Sequence, residues 1–193
     1  IGMAGGFSQI VDISIVPSPT NFLSVLGAVG MTAYFGYLEV CQPKAGDVVL
    51  VSGAAGAVGS LVGQIARIKG ASKIIGIAGG PEKCKWLVEE AGFDDAIDYK
   101  SEDVNARIGE TCPNKVDVFF DNVGGDILEA ALNHINLKAR VVLCGGISGY
   151  NATAPIPGPS NIMNLVVMRG RMEGFIVIDY MPRAGEAIAD MLG

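Results

Sequence analysis

Three glycines at threefold spacing, Gly53, Gly56 and Gly59, punctuate the segment Ser52-Gly53-Ala54-Ala55-Gly56-Ala57-Val58-Gly59. An apolar run, Val48-Val49-Leu50-Val51, leads into it, and a stretch with Leu61, Val62, Ile65 and Ile68 on one side leads out. A strand that turns sharply on glycines into a helix can bring its backbone against a phosphate, with the first helical amides facing the anion. The spacing departs from strict GxGxxG, because Ala54 stands where that pattern has its first glycine. Helix-on-strand packing alone is the competing reading of such a turn; its place between strand and helix favours the anion. About 20 residues further on, where enzymes selective for NAD keep a carboxylate for the ribose 2′-hydroxyl, the chain reads Ile77-Ala78-Gly79-Gly80-Pro81-Glu82-Lys83. No acid ends that strand, and Lys83 opens the next helix, so a 2′-phosphate meets open space and a cation. The cofactor this predicts is NADP. A solvated surface lysine is the competing reading of Lys83.

These groups need elements to hold them, and the pattern from Val48 onward supplies a regular alternation. Strand-like runs fall at residues 48–51, 73–78, 96–98, 116–121, 140–144 and 174–178. Helix-like stretches fall at 57–69, 82–91, 102–109, 126–135 and 161–169, with a last helix from Pro182 and an earlier buried one near 32–38. Runs such as Val141-Val142-Leu143-Cys144 are apolar without alternation, as in strands covered on both faces. The expected fold is α/β, a doubly wound parallel sheet of about six strands. Pro155, Pro157 and Pro159 mark a loop within it.

Composition excludes several classes. With 14 Lys+Arg against 20 Asp+Glu the net charge is −6, unsuited to a nucleic-acid or anionic membrane surface. Half of the 193 residues are hydrophobic and 18% charged, which excludes disorder, and 27 glycines imply many tight turns. Residues 13–38 carry no ionised side chain, but Pro17, Pro19 and later glycines argue for burial rather than a membrane span. The four cysteines, Cys41, Cys84, Cys112 and Cys144, are scattered singly, as in a reducing, cytoplasmic setting. The first residue is Ile1 and no signal peptide is visible, so the chain reads as a trimmed piece.

Four motifs together carry a resemblance: Val51 to Gly59, Gly80-Pro81-Glu82-Lys83, Phe120-Asp121-Asn122-Val123-Gly124-Gly125, and Cys144-Gly145-Gly146-Ile147-Ser148-Gly149-Tyr150-Asn151. In order and spacing they resemble the zinc-independent medium-chain dehydrogenases/reductases, most closely the prostaglandin reductase or alkenal double-bond reductase type. The resemblance covers about residues 27–178 and implies a Rossmann domain over 21–193, with 1–20 a lead-in from a GroES-like catalytic domain. It implies cofactor contacts from Gly56, Ala57, Val58 and Gly59 to the pyrophosphate, Lys83 to the 2′-phosphate and Tyr99 to the adenosine end. Asn122 would follow strand four at the cofactor. Cys144, Gly145, Gly146, Ile147, Ser148, Gly149 and Tyr150 would line the ribose and nicotinamide, with Phe175, Ile176 and Val177 on one nicotinamide face and Thr32 on the other. Each has a plainer reading too: Asn122 as a turn cap, Tyr99 as surface packing, Cys144 as a small core residue.

Zinc-dependent relatives carry a cysteine ligand just before the equivalent of Thr32, where this chain has Gly27-Ala28-Val29. His134 stands alone, and no metal is expected. Activation by hydrogen bonding suits hydride addition to an enone, whose enolate a phenol can stabilise, and Tyr150 is the candidate. The alternative leaves Tyr150 merely closing its loop. The resemblance implies an NADPH-dependent reductase of conjugated carbonyls acting on a small molecule, as a homodimer in the full-length protein. The alternatives are a quinone reductase of the same family and a dinucleotide-binding module without turnover.

Overall fold

Strand β1 (Val48–Ser52) is buried at every position after Val48, because both of its faces are covered. Val49 and Val51 enter one core with Tyr37, Ile74, Val118 and Phe120; Leu50 enters the other with Ile75, Ile77, Phe119 and Val141. The computed structural model describes residues 18–192 together with Asp12, Ser14 and Val16. The expected lead-in over 1–20 therefore lies mostly outside the described residues.

β1 pairs in parallel with β2 (Lys73–Ala78) and β4 (Val116–Asp121). β3 (Asp95–Asp98) lies outside β2, while β5 (Ile135–Leu143) and β6 (Arg171–Gly174) extend the other side, giving the order β3-β2-β1-β4-β5-β6. This is the doubly wound parallel sheet of six strands, with its reversal point between β1 and β4. Helices α1 (Ala28–Phe35), α2 (Ala57–Ile68) and α3 (Pro81–Glu89) cover one face. Helices α4 (Val104–Thr111), α5 (Gly125–Leu132) and α6 (Asn164–Met168) cover the other. Helix α7 (Ala184–Leu192) packs on α1 through Ala187.

Four expectations shift. The last strand is Arg171–Gly174 rather than 174–178: the paired edge is the polar stretch, and the apolar residues that imitate a strand leave the sheet into a 3₁₀ turn at Val177–Arg183. Strand β5 starts at Ile135, not at 140, because Ile135 pairs with Val116 before the ladder slips and resumes at Arg140 opposite Val118; Lys138 takes a positive φ of 60° at the slip. Helix α6 spans five residues and not 161–169. The helix expected at 32–38 begins at Ala28 and ends in a π-helical turn, Gly36–Cys41. Burial therefore covers only the later part of the uncharged stretch, from Leu26 on, while Leu23 before it is exposed, and no helix among the described residues is long and apolar enough to cross a membrane.

Candidate functional site

The parallel strands deliver all their C-terminal ends to one edge, and a cleft of about 890 Å³ opens there beside the reversal point. Gly56, Ala57, Val58 and Gly59 form one wall. Gly56 is the N-cap of α2 and no side chain among the described residues caps the helix, so its first-turn amides are available to an anion. Gly59 must be glycine: a Cβ there would lie 2.5 Å from the Gly53 carbonyl oxygen and 2.8 Å from the Ala54 Cα. Helix α2 can thus approach the turn more closely than any side chain allows.

Lys83, in the first turn of α3, and Tyr99, just after β3, border the far end of the same cleft with Gly79 between them. The Tyr99 ring lies over Gly79, where a Cβ would meet ring atoms at 2.8 to 2.9 Å. No carboxylate ends β2, as the sequence indicated.

Two aspartates that the sequence reading did not single out shape this edge. Asp121, the last residue of β4, is fully buried and accepts from the Ser52 hydroxyl at 2.6 Å and the Val123 amide at 3.0 Å through Oδ1. The Gly124 amide reaches both carboxylate oxygens at 3.1 Å. Ser52 in turn accepts from the Asn122 amide at 2.8 Å, and the Asn122 side-chain amide donates to the Ser52 carbonyl at 2.7 Å. This rivet fixes the glycine turn to the Asn122 edge. Asp98, the last residue of β3, plays the corresponding part for the β2 exit, accepting from the Gly80 amide at 2.7 Å. The signal available in sequence was an acid at each strand end followed by a turn.

Burial raises the Asp121 carboxyl above the ordinary carboxylate value despite its hydrogen bonds from Ser52, Val123 and Gly124. The folded state therefore holds this proton more tightly than the unfolded chain does. That stabilisation is full below the unfolded value and is lost as pH rises through the folded one. Asp121→Asn keeps an acceptor for Ser52 but cannot ionise. Its urea midpoint is expected to gain on the parent's as pH rises from about 4 to about 7; a constant gap, or one moving the other way, would remove the raised carboxyl from the stability of the fold.

Of the expected contact residues, Gly56, Ala57, Val58, Gly59, Lys83, Tyr99, Asn122, Ile147 and Ser148 line the cleft. Ser148 is anchored by its hydroxyl donating to the Val123 carbonyl at 2.6 Å. Gly145, Gly146 and Tyr150 lie beside that wall: a Cβ on Gly145 would be 3.2 Å from the Tyr150 hydroxyl and 3.3 Å from the Asn122 carbonyl oxygen. The Gly146 Cα sits near Gly124, and Gly149 packs against Ile156. Cys144 is half-buried among core residues, with burial and the nearby Asp121 raising its thiol to about 11. Thr32 donates its hydroxyl to the Ala28 carbonyl at 2.7 Å. Phe175, Ile176 and Val177 do not share a face: the Phe175 ring packs edge-on to Phe120, Val177 joins the cluster around Met31 and Phe35, and only Ile176 is exposed. Among the described residues no group of three or more His, Cys, Asp and Glu side chains is placed to hold a metal ion. His134 meets the Asn105 side-chain oxygen at 3.2 Å, and burial lowers its basicity.

A protein-family model described as zinc-binding dehydrogenase matches residues 57–192. The chain is 40% identical over 179 residues to the NADPH-dependent curcumin reductase of Escherichia coli, covering 90% of this chain and 52% of that protein. It is 46% identical over 160 residues to a 2-alkenal reductase (NADP(+)-dependent) of Nicotiana tabacum, covering 82% of this chain and 46% of the relative. The crystal structure of CurA from Vibrio vulnificus in complex with NADPH superposes with a TM-score of 0.84 at 46% identity, over 91% of this chain and 54% of that one. The chain spans about half the length of the curated relatives it matches.

Proposed function

Because the chain belongs to the zinc-binding dehydrogenase family, in its zinc-independent reductase branch, we propose that it is the NADPH-binding domain of an oxidoreductase. The reaction is reduction of the C=C bond of small α,β-unsaturated ketones or aldehydes. Residues 21–193 form the Rossmann domain, 1–20 lead in from the substrate-binding part, and the whole enzyme is a cytoplasmic homodimer. The outer edge of β6, which no strand among the described residues pairs with, supports the dimer.

The observation that carries the cofactor is the cleft itself: a capless helix N-terminus at one end, and Lys83 and Tyr99 around a side-chain-free Gly79 at the other. Its volume suits an organic ligand. The cradle at Gly56 and Gly59 fits a pyrophosphate, and the strand end without an acid fits a 2′-phosphate. When bound, NADPH supplies a hydride. The first-turn amides of α2 hold the pyrophosphate, Lys83 pairs with the 2′-phosphate, the Tyr99 ring covers the adenosine end, and Asn122, Ile147 and Ser148 border the path toward the nicotinamide. Tyr150 offers its hydroxyl to the substrate oxygen. The remainder of the protein encloses the substrate and excludes water, which orients the reacting atoms.

Cofactor titration of Lys83→Ala tests this reading. A charge-assisted contact worth about 1.5–3 kcal/mol predicts an NADPH affinity about 10- to 150-fold weaker, with NADH affinity unchanged. Unchanged NADPH affinity would take Lys83 out of the site. Equal affinity of the parent for NADH and NADPH would overturn the choice of cofactor.

A further inference from the structure

Asp98 is buried at the end of β3, and a single oxygen of its carboxylate ties together two separate pieces of the cleft wall. Oδ1 accepts from the Gly80 amide at 2.7 Å and from the Lys100 amide at 3.0 Å, while Oδ2 accepts from the Ser101 hydroxyl at 2.9 Å. Gly80 is the N-cap of α3, the helix whose first turn carries Lys83, and its φ of 98° lies outside helical values. Lys100 directly follows Tyr99, whose own amide donates to the Ala78 carbonyl at 3.1 Å. The Asp98 amide is held in turn by Glu102 at 2.7 Å. These donors, the Gly80 amide foremost, hold the Asp98 carboxyl below the usual carboxylate range.

Resting on the reading of the cleft as an NADPH site, we propose that Asp98 is the positioning residue for cofactor discrimination: it locks the start of α3 to the Tyr99 turn so that Lys83 and Tyr99 together form the 2′-phosphate end. The pyrophosphate end has its own supports, the Ala54 amide on the Ile77 carbonyl at 3.0 Å and the Gly56 amide on the Gly53 carbonyl at 2.9 Å, neither of which involves Asp98. Loss of Asp98 therefore loosens one end of the cleft and leaves the other intact. The Gly79 contact makes the coupling strict, since Tyr99 has no clearance over that residue. An acid here does not oppose the phosphate in the way an acid at the end of β2 would, because its oxygens are turned back onto two backbone amides and a hydroxyl.

The test is titration of the full-length protein and its Asp98→Ala and Asp98→Asn variants with NADPH and NADH separately, each checked by thermal melting. Asp98→Ala is expected to raise the NADPH Kd by about tenfold or more while moving the NADH Kd by less than about threefold. Asp98→Asn keeps Oδ1 for both amides and can donate to the Ser101 hydroxyl, so it should restore both constants to within about threefold of the parent. The ratio of the two constants is read on folded protein only, so partial unfolding of the alanine variant does not imitate the result. Equal weakening for both cofactors, an unchanged ratio, or an asparagine variant as impaired as the alanine one would overturn the role of Asp98. A parent that does not itself prefer NADPH would overturn the reading of the cleft instead, and this role with it.

Discussion

Gly59→Val is expected to abolish dinucleotide binding, with affinity down about 100-fold or more, and to destabilise the domain by about 1–3 kcal/mol. The cause is local and steric. The atoms that a side chain at this position would strike are the Gly53 carbonyl, its carbon at 3.0 Å, and the Ala54 Cα, all of them backbone, so no rotamer change relieves the overlap. Helix α2 must move off the turn, and with it the amides that face the cleft. Gly56→Ala separates packing from approach: its Cβ would meet only the Gly53 carbonyl oxygen, at 3.1 Å, and it faces solvent at the cleft. That variant should keep nearly the parent Tm and still bind NADPH more weakly. Calorimetric titration and melting of both variants decide the matter. Parent-like melting of Gly59→Val would mean that the close approach of helix to turn does not support the fold, and parent-like binding by Gly56→Ala would move the phosphate elsewhere.

The turn was legible in the sequence because its cause is local: three glycines, an apolar run before them and an amphipathic stretch after. For the same reason β2 and β4 fall at the boundaries that their apolar residues indicate. Legibility failed where tertiary context overrides local pattern. The polar Arg171–Gly174 becomes a strand because β5 offers it an edge, whereas Phe175, apolar and strand-like, turns its ring onto Phe120 and Tyr180. The two aspartates were missed because a carboxylate in a sequence reads as solvated. Ser52 and Asp121 are 69 residues apart, and only the pairing of β1 with β4 brings hydroxyl and carboxylate within 2.6 Å. Lys83, Tyr99, Asn122, Ile147 and Ser148, which line the cleft, belong to motifs at strand ends, the one place where topology guarantees convergence. Thr32 and Phe175 lie on the far side of that guarantee, bonded back into a helix and packed into a core.

Tyr150→Phe in the full-length enzyme is expected to reduce kcat/KM by about 10- to 1,000-fold, with kcat falling more than KM rises. Tyr150 is 71% exposed, so it contributes little to the core, and its hydroxyl stands beside Gly145 and the Asn122 carbonyl at the carboxyl edge of β4 and β5. The loop that carries it is tied down on both sides, by Ser148 on Val123 and by the Ser160 hydroxyl donating to Glu129 at 2.6 Å. A phenol held there can donate one hydrogen bond to a substrate oxygen. One such bond serves an enolate well, because 1,4-addition spreads the negative charge over oxygen and carbon. It serves a localised alkoxide poorly, so in the proposed role Tyr150 would favour reduction of the C=C bond over the carbonyl. With NADPH deuterated at the transferred position, NMR of the product should find deuterium on the β-carbon and an intact carbonyl. Deuterium on a carbinol carbon, or activity lost to a chelator, would assign metal-assisted carbonyl reduction instead. A Tyr150→Phe variant with parent kcat would leave Tyr150 as a loop residue and move the donor to the part of the protein that encloses the substrate.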